Sequence, residues 1–512
     1  MKNTNFAVRS LYPRIILILL LSLSLSCNFL SIGETEASPM PAPTKEAMPT
    51  LPPDPTTPPP GPEPTRTDAA QPEPTREGPD ARQWAVYYVS PSGSDDNPGT
   101  EVEPWLTIQK AADTLEAGET VYIRAGTYHE SVQPKNTGVE GAYITYTAYP
   151  GEQVTIDGSG VSLDEWSGLI EIFGLIFIKV SGLRLVNSAD AGILVDECGD
   201  IVIEDNYIYN TVSSGIGVWS SHGIIIDGNE VELANNDGEQ ENITVAVTDN
   251  FQVRYNHVHH GGPGSNGGEG IDAKDGSSNG KVYGNYVHHL TRVGIYVDAW
   301  DKHTYNIDVY DNLVHDIGDE GFMISSEAGG LLENVRVFNN IAYHNRWNGL
   351  AISGCCSDLS GSHPMKNIQV VNNTFYDNGW DEWGGGIYSD NPDVENVLVR
   401  NNIVSQNLGF QIMLEGAPAS EFTIDHNLID GYRGEDGEIY GSDYIEGDPL
   451  FVNPGEADFH LQESSPAIDQ GICTSAPQSD YEGEPRCQAG VECDIGADEV
   501  YPTNVYLPII LI

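Results

Sequence analysis

Three acidic residues and one lysine recur at equivalent places in successive copies of a short sequence pattern. Asp272 and Lys274 lie in GIDAK, Asp298 lies in GIYVD, and Glu327 follows GFMIS. Two carboxyl groups about 5–9 Å apart can cleave a sugar bond, one as proton donor and the other as nucleophile or base. A lysine can instead remove a proton next to a uronate carboxylate, which is lyase chemistry. The pattern therefore predicts chemistry on polysaccharides by one of two routes.

Each copy of the pattern begins with Gly and a short alternating run, and ends after a loop with Val-x-x-Asn. Alternation of period two with β-branched residues predicts very short strands. The eight intervals between the nine asparagines cover 221 residues (427 − 206), or about 28 residues per repeat, which is typical of a solenoid. Helical periodicity and the leucines of leucine-rich repeats are missing. A parallel β-helix is therefore predicted, with these asparagines stacked at one corner in a structural role: Asn206, Asn229, Asn256, Asn285, Asn312, Asn340, Asn373, Asn402 and Asn427.

Alignment of the copies by their leading Gly predicts which side chains point outward from this strand. They are the second and fourth residues after the Gly: Leu194 and Asp196, Gly217 and Trp219, Asp272 and Lys274, Tyr296 and Asp298, Met323 and Ser325, Ala351 and Ser353. Asp298 and Glu327 lie on consecutive coils and are offset by two residues. Their backbones are then about 4.8 Å apart across the strands and about 6.6 Å along them, or roughly 8 Å in all. Such a spacing suits a catalytic carboxylate pair.

The neighbours of these two carboxylates predict their roles. Lys274 beside Asp298 is expected to keep Asp298 ionised, as a nucleophile or base requires. Glu327, near Met323 and Trp300, is then the expected proton donor. Asp272 completes the predicted catalytic cluster.

Aromatic and basic residues next to this face are the predicted substrate ligands. The run from Trp380 to Trp383 is expected to form a wall on which sugars stack. The full predicted set is Tyr296, Trp300, His303, Arg292, Arg346, Trp347, Trp380 and Trp383.

Two groups of residues contain side chains that could bind a metal ion. Asp272, Asp275 and Asp298 offer hard oxygen ligands, so calcium is the candidate cofactor. His259, His288 and His315 each follow a ladder asparagine by three residues. We interpret that histidine row as a feature of the turn rather than as a metal site.

The first 83 residues have the composition of an export signal followed by a tether. Lys2, Arg9 and Arg14 precede an apolar run over 15–25, so residues 1–26 are predicted to be a signal peptide too short to span a membrane. Cys27 resembles the lipidated cysteine of bacterial lipoproteins, and plain cleavage with release is the alternative. Residues 27–83 are predicted to be a disordered linker, because 15 prolines lie between positions 38 and 79. The protein is therefore expected outside the cell, secreted or held at the surface.

The formal net charge of −53 limits the partners. It argues against nucleic acid, whose phosphates require a basic face. It also disfavours strongly anionic glycans unless a cation offsets it, and so favours hydrolysis of neutral sugars over a lyase. The expected partner is an extracellular polysaccharide or oligosaccharide bound by a monomer, with membrane contact only through a lipid anchor.

The block that follows the linker carries a specific resemblance. It combines a strand at 86–89, a short amphipathic helix at 108–115 and a strand containing Gly126. This block, and the repeats through about residue 430, resemble the secreted right-handed parallel β-helix proteins of the pectate-lyase-like superfamily. GIYVD followed by an acidic residue on the next coil also resembles β-helix glycoside hydrolases. The resemblance implies a right-handed β-helix that acts on carbohydrate.

The chain is thus expected to have three folded regions. They are a cap with the first coils over 84–165, the repeats over 166–440, and a segment over 441–512 that closes the last coil. The predicted function is a glycosidase. A polysaccharide lyase that uses Lys274 as base is the first alternative, and a non-catalytic glycan-binding surface protein is the second.

Overall fold

A computed structural model describes residues 84–263, 266–354, 361–380, 383–487 and 492–500. The predicted signal peptide, the proline-rich linker, Cys27 and the C-terminal tail beyond residue 500 lie outside the described residues. Within the described ranges, no helix is long and apolar enough to cross a membrane.

The chain winds into about 11 coils of roughly 27 residues, and its strands stack into three parallel sheets. The predicted all-β, right-handed parallel β-helix is confirmed. Inward residues of all three sheets form one continuous core of Ile, Val and Leu side chains. A single coil could not bury its apolar face, but stacked coils can.

The first sheet contains 13 strands. Their bounds are Val86–Val89, Thr120–Ile123, Ile144–Ala148, Ile176–Ser181, Gly199–Glu204, His222–Asp227, Asp249–Arg254, Ser278–Tyr283, Thr304–Tyr310, Leu332–Phe338, Met365–Val371, Val394–Arg400 and Phe422–Asp425.

The second sheet also contains 13 strands, and most of them have three residues. Their bounds are Gly126–Tyr128, Val154–Asp157, Arg184–Val186, Tyr207–Tyr209, Glu230–Glu232, His257–His259, Tyr286–His288, Leu313–His315, Ile341–Tyr343, Thr374–Tyr376, Ile403–Ser405, Leu428–Asp430 and Ile445–Glu446.

The third sheet contains the Gly-led strands and has ten members. Their bounds are Gly168–Phe173, Ala191–Asp196, Ile216–Trp219, Ile243–Ala246, Ile271–Lys274, Ile295–Ala299, Phe322–Ser326, Leu350–Ser353, Gly385–Ser389 and Phe410–Leu414.

The nine ladder asparagines form one buried column at the corner between the first and second sheets, as predicted. Asn312 is typical: its Nδ2 donates to Asn340 Oδ1 at 2.9 Å and to the Val282 carbonyl at 3.0 Å. The residue before each ladder asparagine has positive φ, for example Asp311 at 54°. That left-handed residue turns the chain between the sheets, and the asparagine side chain then satisfies backbone groups that the corner would leave unpaired.

A short helix covers the N-terminal end of the solenoid. Helix α1, Ile108–Thr114, buries Ile108, Ala111 and Ala112 in the core. Thr107 caps it by accepting a hydrogen bond from the Lys110 backbone N–H at 3.1 Å. The helix thus shields apolar side chains that the first coil would expose, which confirms the predicted cap.

The C-terminal segment is arranged differently from the prediction. It closes the last coil where Ser442 bridges to Asp425 and where Ile445–Glu446 pairs with Leu428–Asp430. The chain then forms an antiparallel pair, Phe451–Asn453 with Asp458–Leu461, and packs along the outer side of the second sheet. Phe451 and Phe459 contact the outward, half-buried ring of Tyr376, with centroids 5.7 and 5.6 Å away. Aromatic residues that point outward from the second sheet therefore supply a second small core, a pattern that the repeat alone did not reveal.

Candidate active site

The outer face of the third sheet gathers the predicted catalytic residues. The register pairs Asp272 with Tyr296 and Tyr296 with Met323, and it pairs Asp298 with Ser325. Ala273 and Val297, one residue away, point into the core. The predicted outward positions are therefore confirmed, and Lys274 lies next to Asp298 because Ala273 pairs with Val297.

Asp272 and Asp298 are deeply buried although they lie on an outer face. Their exposed fractions are 2% and 4%, and Oδ1 of each has no hydrogen-bond partner among the described residues. A buried carboxylate without donors is costly, so such a group holds a proton instead. Burial, followed by the charge of Glu327, raises the pKa of Asp298 well above its ordinary value, and Lys274 only partly opposes this. The expectation that Lys274 keeps Asp298 ionised is therefore wrong, because desolvation outweighs the lysine charge.

Glu327 is at the rim of this cluster. Its backbone N–H donates to the Ala299 carbonyl at 2.9 Å, which fixes it on the coil after Asp298. The Tyr296 hydroxyl donates a hydrogen bond to Glu327 Oε1. Burial raises the pKa of Glu327, but the Tyr296 hydrogen bond and the cations of Lys274 and Arg292 oppose that rise. Of the two carboxyl groups, Glu327 therefore has the better stabilised anionic form.

Lys274 is held by a carboxylate that sequence reasoning missed. Its Nζ lies 2.5 Å from Glu241 Oε1 and 3.8 Å from Asp272 Oδ2. Thr244 orients Glu241 by donating to its Oε2 at 2.7 Å. Burial acts to lower the pKa of Lys274, but Glu241 and the two aspartates outweigh burial and raise it above its ordinary value. Lys274 is therefore a fixed cation within the cluster.

Glu241 belongs to a row of acidic residues that a sequence signal could have revealed. Glu241, Glu269 and Glu320 each come directly before the Asn or Gly that leads a third-sheet strand. All three side chains are buried. Arg292 Nη2 lies 3.3 Å from Glu269 Oε1, and burial raises the pKa of Glu269 to about 7 despite this arginine. The cluster is thus richer in carboxyl groups than in cations.

Aromatic side chains lie on both sides of the cluster along the third sheet. Trp383 is 44% exposed and lies against Tyr388, with centroids 5.0 Å apart. At the other end, Trp219 meets Trp166 edge to face at 5.6 Å and lies 5.8 Å below Lys274 Nζ. These two tryptophans line a pocket with Leu194 and Gln240. Trp383 was a predicted substrate ligand, whereas Trp166 and Trp219 were not among the predicted ligands.

The remaining predicted substrate ligands divide into two groups. Tyr296, Arg292 and the half-buried Trp300 lie at the cluster, where Trp300 precedes the loop beside Glu327. The others lie outside it. Arg346 packs between Trp347 and Trp380, with its Cζ 5.9 and 6.0 Å from their ring centroids, and His303 pairs with Glu333 of the first sheet at 3.1 Å.

The candidate calcium ligands are not equally available. Asp275 forms an ion pair with Lys302, and its Oδ1 accepts from the backbone N–H groups of Asp301 and Lys302 at 3.2 Å. A calcium ion bound to Asp275 would have to compete with the Lys302 ammonium. Asp272 and Asp298 retain unpartnered oxygens, so calcium at the cluster stays a prediction.

Comparison with known proteins agrees with this geometry. Residues 87–285 match the family model described as "Pel9A-like, right handed beta helix region", and residues 302–437 match a second "Right handed beta helix region". The protein YwoF of Bacillus subtilis is 30% identical over 435 residues, which cover 74% of this chain and 91% of YwoF. The chain belongs to the pectate-lyase-like right-handed β-helix proteins.

Other members of this superfamily include carbohydrate-active enzymes. Pectate lyase PEL9 of Emericella nidulans is 30% identical over 212 residues, which cover 39% of this chain and 45% of PEL9. The crystal structure of pectate lyase Pel9A covers 81% of this chain and 96% of its own at a TM-score of 0.51 and 16% identity. The structure of the complex of XylC with xylose covers 81% of this chain and 98% of its own chain, at a TM-score of 0.50 and 14% identity. These two structural likenesses establish the fold.

Proposed function

We propose that this protein is an exported glycoside hydrolase in which Asp298 and Glu327 are the catalytic pair. The main support for this proposal is that two carboxyl groups on consecutive coils have different surroundings. Asp298 is buried with an unpartnered oxygen, and Glu327 accepts a hydrogen bond from Tyr296. Groups whose environments separate their pKa values are suited to the acid and base roles of one reaction.

The electrostatics favour a specific division of roles, which reverses the one predicted from sequence. The unpaired, desolvated Asp298 holds the proton and donates it to the leaving oxygen of the glycosidic bond. Glu327, stabilised as an anion by Tyr296, acts as the nucleophile or as the base that activates water. Glu241 and Lys274 form an ion pair at the base of the site, and the buried Asp272 lies beside them.

The flanking aromatic residues support an extended carbohydrate substrate. Trp219 and Trp383 lie on opposite sides of the carboxylate cluster along the third sheet. Their flat apolar faces suit sugar rings that run along the strand stack, with the bond to be cleaved above Asp298 and Glu327.

A polysaccharide lyase is the second candidate, because PEL9 is a sequence relative over part of the chain. The contacts of Lys274 weigh against it. A lysine base must lose its proton near neutral pH, whereas Glu241 lies 2.5 Å from the ammonium and helps to raise its pKa.

One experiment separates these two candidates. Purified protein is incubated with a glycan panel, and products are followed by reducing-sugar release and by the ultraviolet absorbance of an unsaturated sugar. Hydrolysis predicts reducing ends without absorbance, whereas a lyase produces both. In addition, Glu241→Gln should increase the activity of a lyase at neutral pH because it frees the Lys274 base, and it should not increase that of a hydrolase. Retained glycan binding without any product would instead support a binding protein.

A further inference from the structure

A group of histidines occupies the outer face of the second sheet, which is not the face that carries the carboxylate cluster. His257 and His259 lie on one strand, and the register places His259 beside His288 on the next coil. His260 and His289 follow these strands with φ of 51° and 53°. This left-handed conformation is tolerated by histidine better than by most residues, and it turns both rings toward their neighbours.

Three of these rings converge on one point. His257 Nε2 lies 2.8 Å from His288 Nε2, and one ligand nitrogen from each of His257, His259 and His288 falls within 4.8 Å of the other two. In a tetrahedral zinc site with Zn–N bonds of about 2.0–2.1 Å, the ligand nitrogens are roughly 3.3 Å apart. Small side-chain movements therefore suffice to assemble such a site.

The Nδ1 atoms of His259 and His288 each contact a neighbouring histidine, as the second ring nitrogen of a metal-bound histidine commonly contacts a hydrogen-bond partner. His259 Nδ1 lies 2.7 Å from His260 Nδ1, and His288 Nδ1 lies 2.7 Å from His289 Nδ1. Between neutral rings, each contact contains one proton. When that proton is on His259 and His288, their Nε2 atoms present lone pairs, which is the usual arrangement of zinc-bound imidazoles. The proton of the 2.8 Å contact between His257 Nε2 and His288 Nε2 is then on His257, and zinc binding requires its transfer to His257 Nδ1 through solvent.

His259 supplies an independent sign of an unfilled coordination position. It is only 7% exposed, and its Nε2 has no hydrogen-bond partner among the described residues. The Glu230 carboxylate lies nearby, with Oε1 3.5 Å from this nitrogen.

From this geometry we propose that His257, His259 and His288 bind one zinc ion that joins two neighbouring coils. Imidazole nitrogens suit zinc better than they suit calcium or magnesium. Glu230 lies close enough to offset the added charge. The site is separate from the proposed sugar chemistry and would stabilise the middle of the solenoid.

The test uses the full chain after chelator treatment and dialysis. Zinc chloride is titrated by calorimetry, and Tm is measured with and without zinc. We expect one tight site per chain, a higher Tm with zinc, and at least about tenfold weaker binding in His288→Gln and His259→Gln. His222→Gln, which removes an exposed first-sheet histidine, is the matched control and should bind as the wild type does.

Cobalt substitution separates this site from other zinc ligands. A histidine site predicts visible cobalt bands without thiolate charge-transfer absorption. The proposal is overturned if zinc binding is not saturable, or if His288→Gln and His259→Gln both bind as tightly as the wild type. It is also overturned if cobalt gives a thiolate band, because the metal would then occupy the cluster of Cys473, Cys487 and Cys493. Circular dichroism of the metal-free variants checks their fold, and the cobalt spectrum of the wild type decides the ligand type without any variant.

Discussion

The Tyr296 hydroxyl donates a hydrogen bond to Glu327 Oε1 on the following coil. This contact joins two outward side chains of the third sheet, and it favours the anionic form of Glu327 beside Asp298, whose pKa is raised by burial. The different environments of the two carboxyl groups are the basis of the proposed mechanism.

Removal of this hydrogen bond should change the pH profile in one direction. Tyr296→Phe takes away an interaction that lowers the pKa of Glu327, so that pKa should rise. Glu327 must be ionised to react, and the acidic limb of kcat/KM should therefore move to higher pH. Tyr305→Phe on the first sheet is the control. If the acidic limb does not move in Tyr296→Phe, Tyr296 does not influence the ionisation of Glu327.

Glu269 should make the stability of the protein fall with rising pH. Its folded pKa of about 7 lies above the ordinary value for glutamate. A carboxyl group with a raised folded pKa contributes stability below its unfolded pKa of about 4.3, and this contribution is lost as pH rises toward 7. Glu269→Gln should therefore make Tm decrease less between about pH 4.5 and 7, which is roughly the interval between the two pKa values. An unchanged slope in the variant would contradict the assignment.

The buried ladder asparagines should contribute more to the free energy of unfolding than exposed asparagines on the same coils do. Asn312→Ala leaves the backbone N–H of Asn285 and the Val282 carbonyl without their side-chain partners. The expected loss in the free energy of unfolding is about 1–3 kcal/mol, measured by denaturant titration. Asn306→Gly, in an exposed asparagine row on the same coil, removes the amide without straining the left-handed backbone (φ 57°) and should cost much less. Equal losses would mean that burial of the ladder amides is not what stabilises the corner.

The tryptophans at the two ends of the cluster should affect substrate binding more than chemistry. Trp219→Ala and Trp383→Ala should each raise KM for an oligosaccharide and change kcat less, because both rings lie beside the carboxylates rather than among them. Trp84→Ala at the N-terminal cap is the control. If KM is unchanged in both variants, the substrate does not run along the third sheet.

Much of the fold could be predicted from sequence because each coil repeats the same local rules. Gly before an alternating strand and Asn at one corner recur at nearly constant spacing, so register and outward positions followed directly. The path of residues 451–487 could not be derived in this way, since it depends on outward aromatic residues such as Tyr376 that meet a distant segment.

The candidate site was predicted in position but not in its electrostatics. Asp272, Lys274 and Asp298 followed from strand alternation. Glu241 did not, because it precedes its strand and its side chain folds back onto Lys274. Desolvation of Asp298 was underestimated because strand alternation predicts which face a side chain is on but not how deeply it is buried.

The most direct test of the central claim is the turnover of an identified glycan by Asp298→Asn and Glu327→Gln. The account predicts that each variant loses nearly all reducing-sugar release while its Tm and glycan binding stay close to those of the wild type. Glu395→Gln, an exposed first-sheet carboxylate, should retain full activity. Wild-type turnover by either Asp298→Asn or Glu327→Gln would contradict the assignment of this carboxylate pair.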